Sequence, residues 1–256
     1  MFDPDALDRR DPRLIERLLP LLEAFNKYYF RLSSDGAAQI PSTPTLFVAN
    51  HNGGIMGPDL FCTLAVLWRQ LGPDRPLYAL AHDFAMRQLT PLGRLLQKIG
   101  GIRASRDNAR RVLDAGGSLL VYPGGDLDAY RHFSDRNQVV LLPRTGFVDV
   151  AREAKVPVVP IVAHGAHRSA LIFSEGRLLA RLVGLKRWGR LERFPLALAL
   201  PWIFAPGPWL PYAPLPLKIR LRILAARRLD PEVSARTAAL QIEADMQGAL
   251  DGLARA

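Results

Sequence analysis

From residue 45 to residue 163, short wholly apolar runs alternate with longer stretches that are apolar on one face only. The runs 45–49, 77–81, 118–122 and 156–163 are rich in Leu, Val and Ala, and each stops at Asn, His or Pro. Continuous apolarity over so few residues reads as strands buried on both faces, as in a parallel sheet. Between and after them, 58–70, 92–99, 106–115 and 146–154 repeat apolar residues at helical spacing, and Ser105 stands where an N-cap would. This alternation predicts an α/β fold: a largely parallel sheet covered by helices on both faces, with an N-terminal amphipathic helical segment.

The flanks read differently. Asp11-Pro12 opens a helix whose Leu14, Leu18, Leu22, Phe25 and Tyr29 form one apolar stripe, and Pro20 should kink or divide it. Such a stripe either packs on the domain or touches a membrane. Ser33 to Gly36 reads as a turn. Residues 194–217 carry no charge, yet seven prolines argue against a membrane-spanning helix and for an extended or interfacial segment, with Trp202, Phe204, Trp209 and Tyr212 suited to an interface. Residues 218–224 alternate as an edge strand would, and Asp230-Pro231 caps a last helix reaching about Leu253. The expected organisation is one domain: 1–30 an N-terminal helical segment, 45–224 a catalytic core, 230–254 a C-terminal helix.

Charge narrows the partners. The 34 Lys and Arg against 24 Asp and Glu give a net charge of +10, a surface that seeks anions, and composition alone does not choose among nucleic acid, lipid headgroups and phosphorylated cofactors. The single Cys62 excludes an internal disulfide and fits a reducing compartment. The first ten residues mix both charges, so no secretory signal is expected there and the chain is expected to start in the cytosol. No histidine or cysteine spacing resembles a zinc set.

The chemistry concentrates where strands end. His51 follows the 45–49 run and precedes Asn52, Gly53 and Gly54, flexible backbone that would leave an imidazole open to substrate as a general base. Asp59 sits in the first turn of the following helix, from which it could hold that imidazole. Pro123, Gly124 and Gly125 follow the 118–122 strand, where backbone N–H groups could approach an oxyanion. His164 and His167 end the 156–163 strand as rival bases, and His82 ends another. Ligands of parallel sheets sit at the strands' carboxyl ends, which brings His51, Gly124-Gly125 and His164 together. A cluster of Arg103, Arg106, Arg110 and Arg111 has a solvated basic face as its default. No Gly-x-Ser-x-Gly elbow is present, so a serine hydrolase lacks its nucleophile.

These residues carry a resemblance. Asn50-His51 with Asp59, residues 100–106, Val121-Tyr-Pro-Gly-Gly125 and Val156-Pro-Val-Val-Pro160 resemble, in order and spacing, the four blocks of the glycerolipid acyltransferase superfamily, in its branch of bacterial proteins similar to monoacylglycerol and diacylglycerol acyltransferases. The likeness runs from about Tyr28 to Leu224. The family's aspartate usually lies five residues after the histidine, where this chain has Met56, and its third block carries Glu-Gly-Thr-Arg where this chain has Gly124-Gly-Asp-Leu127. The resemblance implies an O-acyltransferase. His51 would take the proton of an acceptor hydroxyl, Asp59 would stabilise the imidazolium, and backbone near Gly53-Gly54 or Gly124-Gly125 would hold the oxyanion, with Asn52, Pro123 and His164 around them. It further implies acyl-CoA or acyl carrier protein as acyl donor, no other cofactor, no metal and no nucleic acid. The expected location is peripheral, on the cytoplasmic face of an anionic membrane. Arg103 and Arg106 would bind a phosphate, whereas Asp126 and Asp128 would repel one. A neutral mono- or diacylglycerol is therefore the expected acceptor, with a lysophospholipid as the alternative. An acyl-thioester hydrolase and a silent lipid-binding protein are the competing readings.

Overall fold

The computed structural model describes residues 2–255 apart from 53, 55, 56, 84, 87–89, 186, 188–190 and 208–211. Its frame is a seven-stranded sheet made of β1 (Ser33–Asp35), β2 (Leu46–Ala49), β3 (Leu77–Ala81), β4 (Gly101–Arg103), β5 (Ser118–Val121), β6 (Val158–His164) and β10 (Arg220–Ile223), in the order β1-β10-β6-β2-β5-β3-β4. From β6 to β4 every pairing is parallel, while β10 lies antiparallel to β6. β2 and β5 are buried at every position, which is why their sequences are continuous apolar runs rather than alternations.

Two apolar layers cover the sheet. On one face α1 (Pro12–Tyr28) and α2 (Pro58–Leu71) pack Ile15, Leu19, Leu64, Leu67 and Trp68 against Phe47, Leu120 and Ile161. On the other, α4 (Arg106–Asp114), α6 (Gly146–Glu153) and the C-terminal helix α8 (Ala235–Arg255) pack against Leu46, Val48, Leu119 and Val162. The short α3 (Thr90–Lys98) leads into β4. Ser105 caps α4 by accepting the Asn108 N–H, and Asp11 caps α1 by accepting that of Leu14.

Several local expectations need correcting. Pro20 lies inside one undivided helix; it is exposed, so the carbonyl it leaves without a partner faces water. The buried face of α1 runs through Ile15, Leu19 and Asn26, one position round from the stripe read in the sequence, and Phe25 is exposed. The 33–36 turn holds the strand β1, which pairs with β10 and makes β10 an interior strand rather than an edge. Ser234, not Asp230, caps the last helix, accepting the Thr237 N–H. Within the described part of 194–217, two strands, β8 (Leu196–Ala199) and β9 (Ile203–Pro206), join β7 (Leu171–Ser174) in a separate antiparallel sheet, β7-β8-β9. The expected interfacial residue Trp209 lies outside the described residues.

Candidate active site

The site forms where β2 hands over to α2. Asn50, fully buried just past β2, locks this exit to β6: its side-chain amide donates to Ala163 O at 3.0 Å, and its carbonyl accepts the Ala163 N–H at 2.7 Å. Asn52 donates to the same Ala163 O at 3.0 Å. His51 stands between these two anchored asparagines.

Gly57, in the left-handed region, turns the chain into α2, and Pro58 occupies the first helical position. Asp59 then faces back across the turn. Its Oδ2 lies 2.8 Å from His51 Nδ1 and accepts the Asn52 N–H at 3.1 Å. Asp59 is fully buried, while the His51 side chain keeps 22% of its surface open. A carboxylate on Nδ1 selects the tautomer with a proton there, leaving the Nε2 lone pair on the side away from Asp59. The half-buried Tyr122 ring lies against the imidazole, with centroids 4.8 Å apart. Burial and the Asp59 carboxylate push the Tyr122 phenol well up, so it stays protonated. The same two causes raise the thiol of Cys62, which lies on the buried face of α2 and is unsuited to act as a nucleophile.

A second carboxylate supports the histidine from behind. The fully buried Asp128 lies in α5 (Gly125–Ala129), where one oxygen accepts the His51 backbone N–H and the other pairs with the buried Arg131. The guanidinium is further held by Asp128 O and Asp135 O, both at 2.9 Å. Desolvation brings Arg131 down to about 10, and Asp59 and Asp135 act against that shift. Sequence reading cast Asp126 and Asp128 as carboxylates facing a substrate. Instead both are buried and neutralised: Asp126 accepts from Arg144 at 2.8 Å and from the Glu192 N–H at 2.6 Å.

Of the glycines after β5, Gly125 has its N–H engaged within the chain. The Gly125 N–H donates to Tyr122 O at 3.0 Å, so a substrate oxyanion does not receive it. At Gly124 an added Cβ would come within 2.0 Å of Val140 O and 2.4 Å of Asp128 Cβ. Arg144 holds the Pro123 and Gly124 carbonyls at 3.4 and 3.0 Å. Close packing around Asp128 and Arg144 thus accounts for Pro123, Gly124 and Gly125. Gly54, at φ 63°, has no room for a side chain because the Tyr212 hydroxyl would lie 2.8 Å from it, with Tyr130 beside that. Gly53 lies outside the described residues.

Three further candidates fall away from His51. Arg103 is bound by Asp5 through two bonds of 2.7 and 2.6 Å, which straps the N-terminal segment across the β4 edge. Arg106 pairs with Asp149 at 2.9 Å on the exposed face between α4 and α6. β4 is three places from β2, about 14 Å at the usual strand spacing. His164 continues the β6 alternation of Val158 and Val162, which pack with α8, so it turns to the face opposite His51. Its neighbour His167 is the histidine that comes near: burial, then Arg131, His51 and Arg136, hold its imidazole well below the ordinary value. Arg144 acts on a partner 18 residues away that the fold brings to it, while Asp128 and Arg131 form a local i,i+3 pair whose burial, not its spacing, is what the sequence does not show.

A histidine held by a buried carboxylate, with no activated side-chain nucleophile among the described residues beside it, is an arrangement suited to direct transfer to a hydroxyl or water. The chain belongs to the acyltransferase family, whose pattern it matches over residues 31–164. It is 32% identical over 191 residues to an uncharacterized protein of Mycobacterium tuberculosis, covering 74% of this chain and 53% of that one. It is 28% identical over 159 residues to human diacylglycerol O-acyltransferase 2, covering 58% of this chain and 40% of the relative. The chain therefore spans about half the length, or less, of these relatives. Its fold is that of the crystal structure of the 1-acyl-sn-glycerophosphate acyltransferase PlsC from Thermotoga maritima, with a TM-score of 0.54 at 16% identity, covering 94% of this chain and 82% of that one.

Proposed function

We propose that this protein moves a fatty acyl group from a thioester to a hydroxyl of a glycerolipid. The observation that carries the reading is the 2.8 Å contact of His51 Nδ1 with the fully buried Asp59 at the carboxyl edge of the sheet. His51 Nε2 takes the proton of the acceptor hydroxyl as its oxygen attacks the thioester carbonyl. Asp59 stabilises the imidazolium, and that proton leaves with the thiolate when the tetrahedral intermediate collapses. The donor is acyl-CoA or an acyl carrier protein thioester, and no metal or redox cofactor enters these steps.

A mono- or diacylglycerol is the favoured acceptor. The two arginines that would have bound a phosphate hold Asp5 and Asp149 instead, and the human relative is named for diacylglycerol. Repulsion by Asp126 and Asp128 no longer supports this choice, since both are neutralised. The protein would work as a peripheral protein on the cytoplasmic face of a membrane; no described helix is long and apolar enough to cross one. Competition between diacylglycerol and lysophosphatidic acid for one labelled acyl-CoA tests the acceptor. Triacylglycerol as the main product is expected. Dominant phosphatidic acid would overturn the choice, and free fatty acid alone would make the protein a hydrolase.

A further inference from the structure

The three-stranded sheet is built inside out for a domain in water. Along its strands the side chains facing inward are small, with Ala197, Ala199 and Ala205 joined by Ile172, and all four are buried. Those facing outward are large and apolar: Leu171, Phe173, Leu198, Leu200 and Phe204 are each roughly half exposed, and the Phe173 and Phe204 rings lie 6.1 Å apart. An antiparallel sheet covered on one side normally alternates apolar inward and polar outward. The turn from β8 to β9 adds Trp202 and the first position of β9 adds Ile203, each at least half exposed, whereas α7 (Arg177–Leu182) packs its Ala180 against the inward Ile172 and Ala197. This much contiguous apolar surface marks a place of contact.

We infer that this outward face docks on an anionic lipid bilayer. The inference rests on the proposed reaction, in which both acyl chains and acceptor are lipids. Charge selects the occupant. Residues 166–217 carry seven Arg and Lys against two Glu, net +5, so half of the chain's +10 falls in this one stretch. Glu175 is already paired with Arg177 at 2.7 Å and Arg193 at 3.3 Å, while Arg168 and Arg181 are exposed. An apolar aromatic centre with a cationic surround suits a surface that presents hydrocarbon beneath negative headgroups. A second copy of the same face would bring like charges together. Position agrees: the small inward residues let the sheet rest on Tyr130 and Tyr212, and these two rings pack against Gly54, three residues from His51. The bilayer would then lie one sheet layer from the base.

The test is co-sedimentation of the full chain with phosphatidylcholine vesicles, with and without an anionic lipid, at low and high salt. Phe173→Ser with Phe204→Ser alters only the outward face, and Leu240→Ser on α8 serves as an exposed apolar control. Wild type and control should bind anionic vesicles and keep part of that binding in high salt. The double variant, with an unchanged melting curve, should lose about tenfold in vesicle affinity. Equal sedimentation of wild type and double variant overturns the inference, as does equal binding to vesicles without anionic lipid. A concentration-dependent dimer abolished by the double variant, with no vesicle binding, would assign the face to a second copy and also overturn it. Turnover of detergent-dispersed diacylglycerol separates this inference from the reaction itself: a double variant active in micelles but not on vesicles supports docking, whereas vesicle binding without any turnover removes the reaction and leaves the face.

Discussion

Asp59 stands eight residues from His51 in the chain and 2.8 Å from it in space, because the turn at Gly57-Pro58 folds the start of α2 back over the β2 exit. That contact was legible in the sequence as a carboxylate in a helix's first turn. The support beneath it was not, since Asp128 and Arg131 look like surface charges until α5 buries them. Asp59→Asn should lower kcat, by less than the loss of His51 itself and with little change in KM, because it removes the charge that stabilises the imidazolium while keeping a side chain of the same size; steady-state kinetics on the folded variant checks this. Removing Asp128 should act on stability instead. Asp128→Asn leaves Arg131 as a buried unpaired cation, a change that costs about 3–5 kcal/mol, and adding Arg131→Met should restore part of the loss in a denaturant titration. His164 and His167 set a pH dependence. Burial holds both below the ordinary histidine range, so the unfolded chain takes up protons before the folded one does. Their contribution is fully present above the unfolded value, about 6.5, and is lost progressively as pH falls from there through the lower folded values. Tm should drop on acidification from neutral pH, and His167→Gln should flatten that slope.

Elements with a strong apolar signature were read within a residue or two: β3 and α4 fall where their periodicity puts them, and α2 ends one residue later than expected. The missed strands share one physical cause, that pairing rather than burial defines them. β1 is exposed at all three positions and exists because β10 offers a free edge. β8 and β9 sit in a proline-rich segment that composition described as extended without giving its partner. In α1 the apolar residues outnumber one stripe, so the sequence could not say which set faces the sheet. The structure chooses Ile15 and Leu19 and exposes Leu21, Phe25 and Tyr28. Ile15→Ala should therefore destabilise by about 2–5 kcal/mol, while Leu21→Ala, on the exposed side, should change stability by less than about 0.5 kcal/mol. Equal effects in parallel denaturant titrations would show that the helix is rotated from the position described.

At the scale of the molecule, the parallel sheet with helices on both faces followed from the alternation of 45–163, whereas the expected meeting of His51 with Gly124-Gly125 and His164 did not follow from it. What alternation could not give was the division of the arginines. Arg103, Arg106, Arg131 and Arg144 all hold acidic partners, which takes them out of the pool that a substrate phosphate could meet. The net charge of +10 is then a property of the remaining surface, and it suits a partner with many shallow negative charges. The whole reading turns on whether His51 is the base. The measurement is acyl transfer from labelled acyl-CoA to diacylglycerol by wild type and by His51→Ala, compared at equal folded concentration with products resolved by lipid mass spectrometry. Wild type should form triacylglycerol, and the variant, with an unchanged melting curve, should be slower by about 10²–10⁴ or more. A folded His51→Ala that keeps more than about a tenth of wild-type turnover would contradict the reading, because losing a general base leaves no more than about a hundredth.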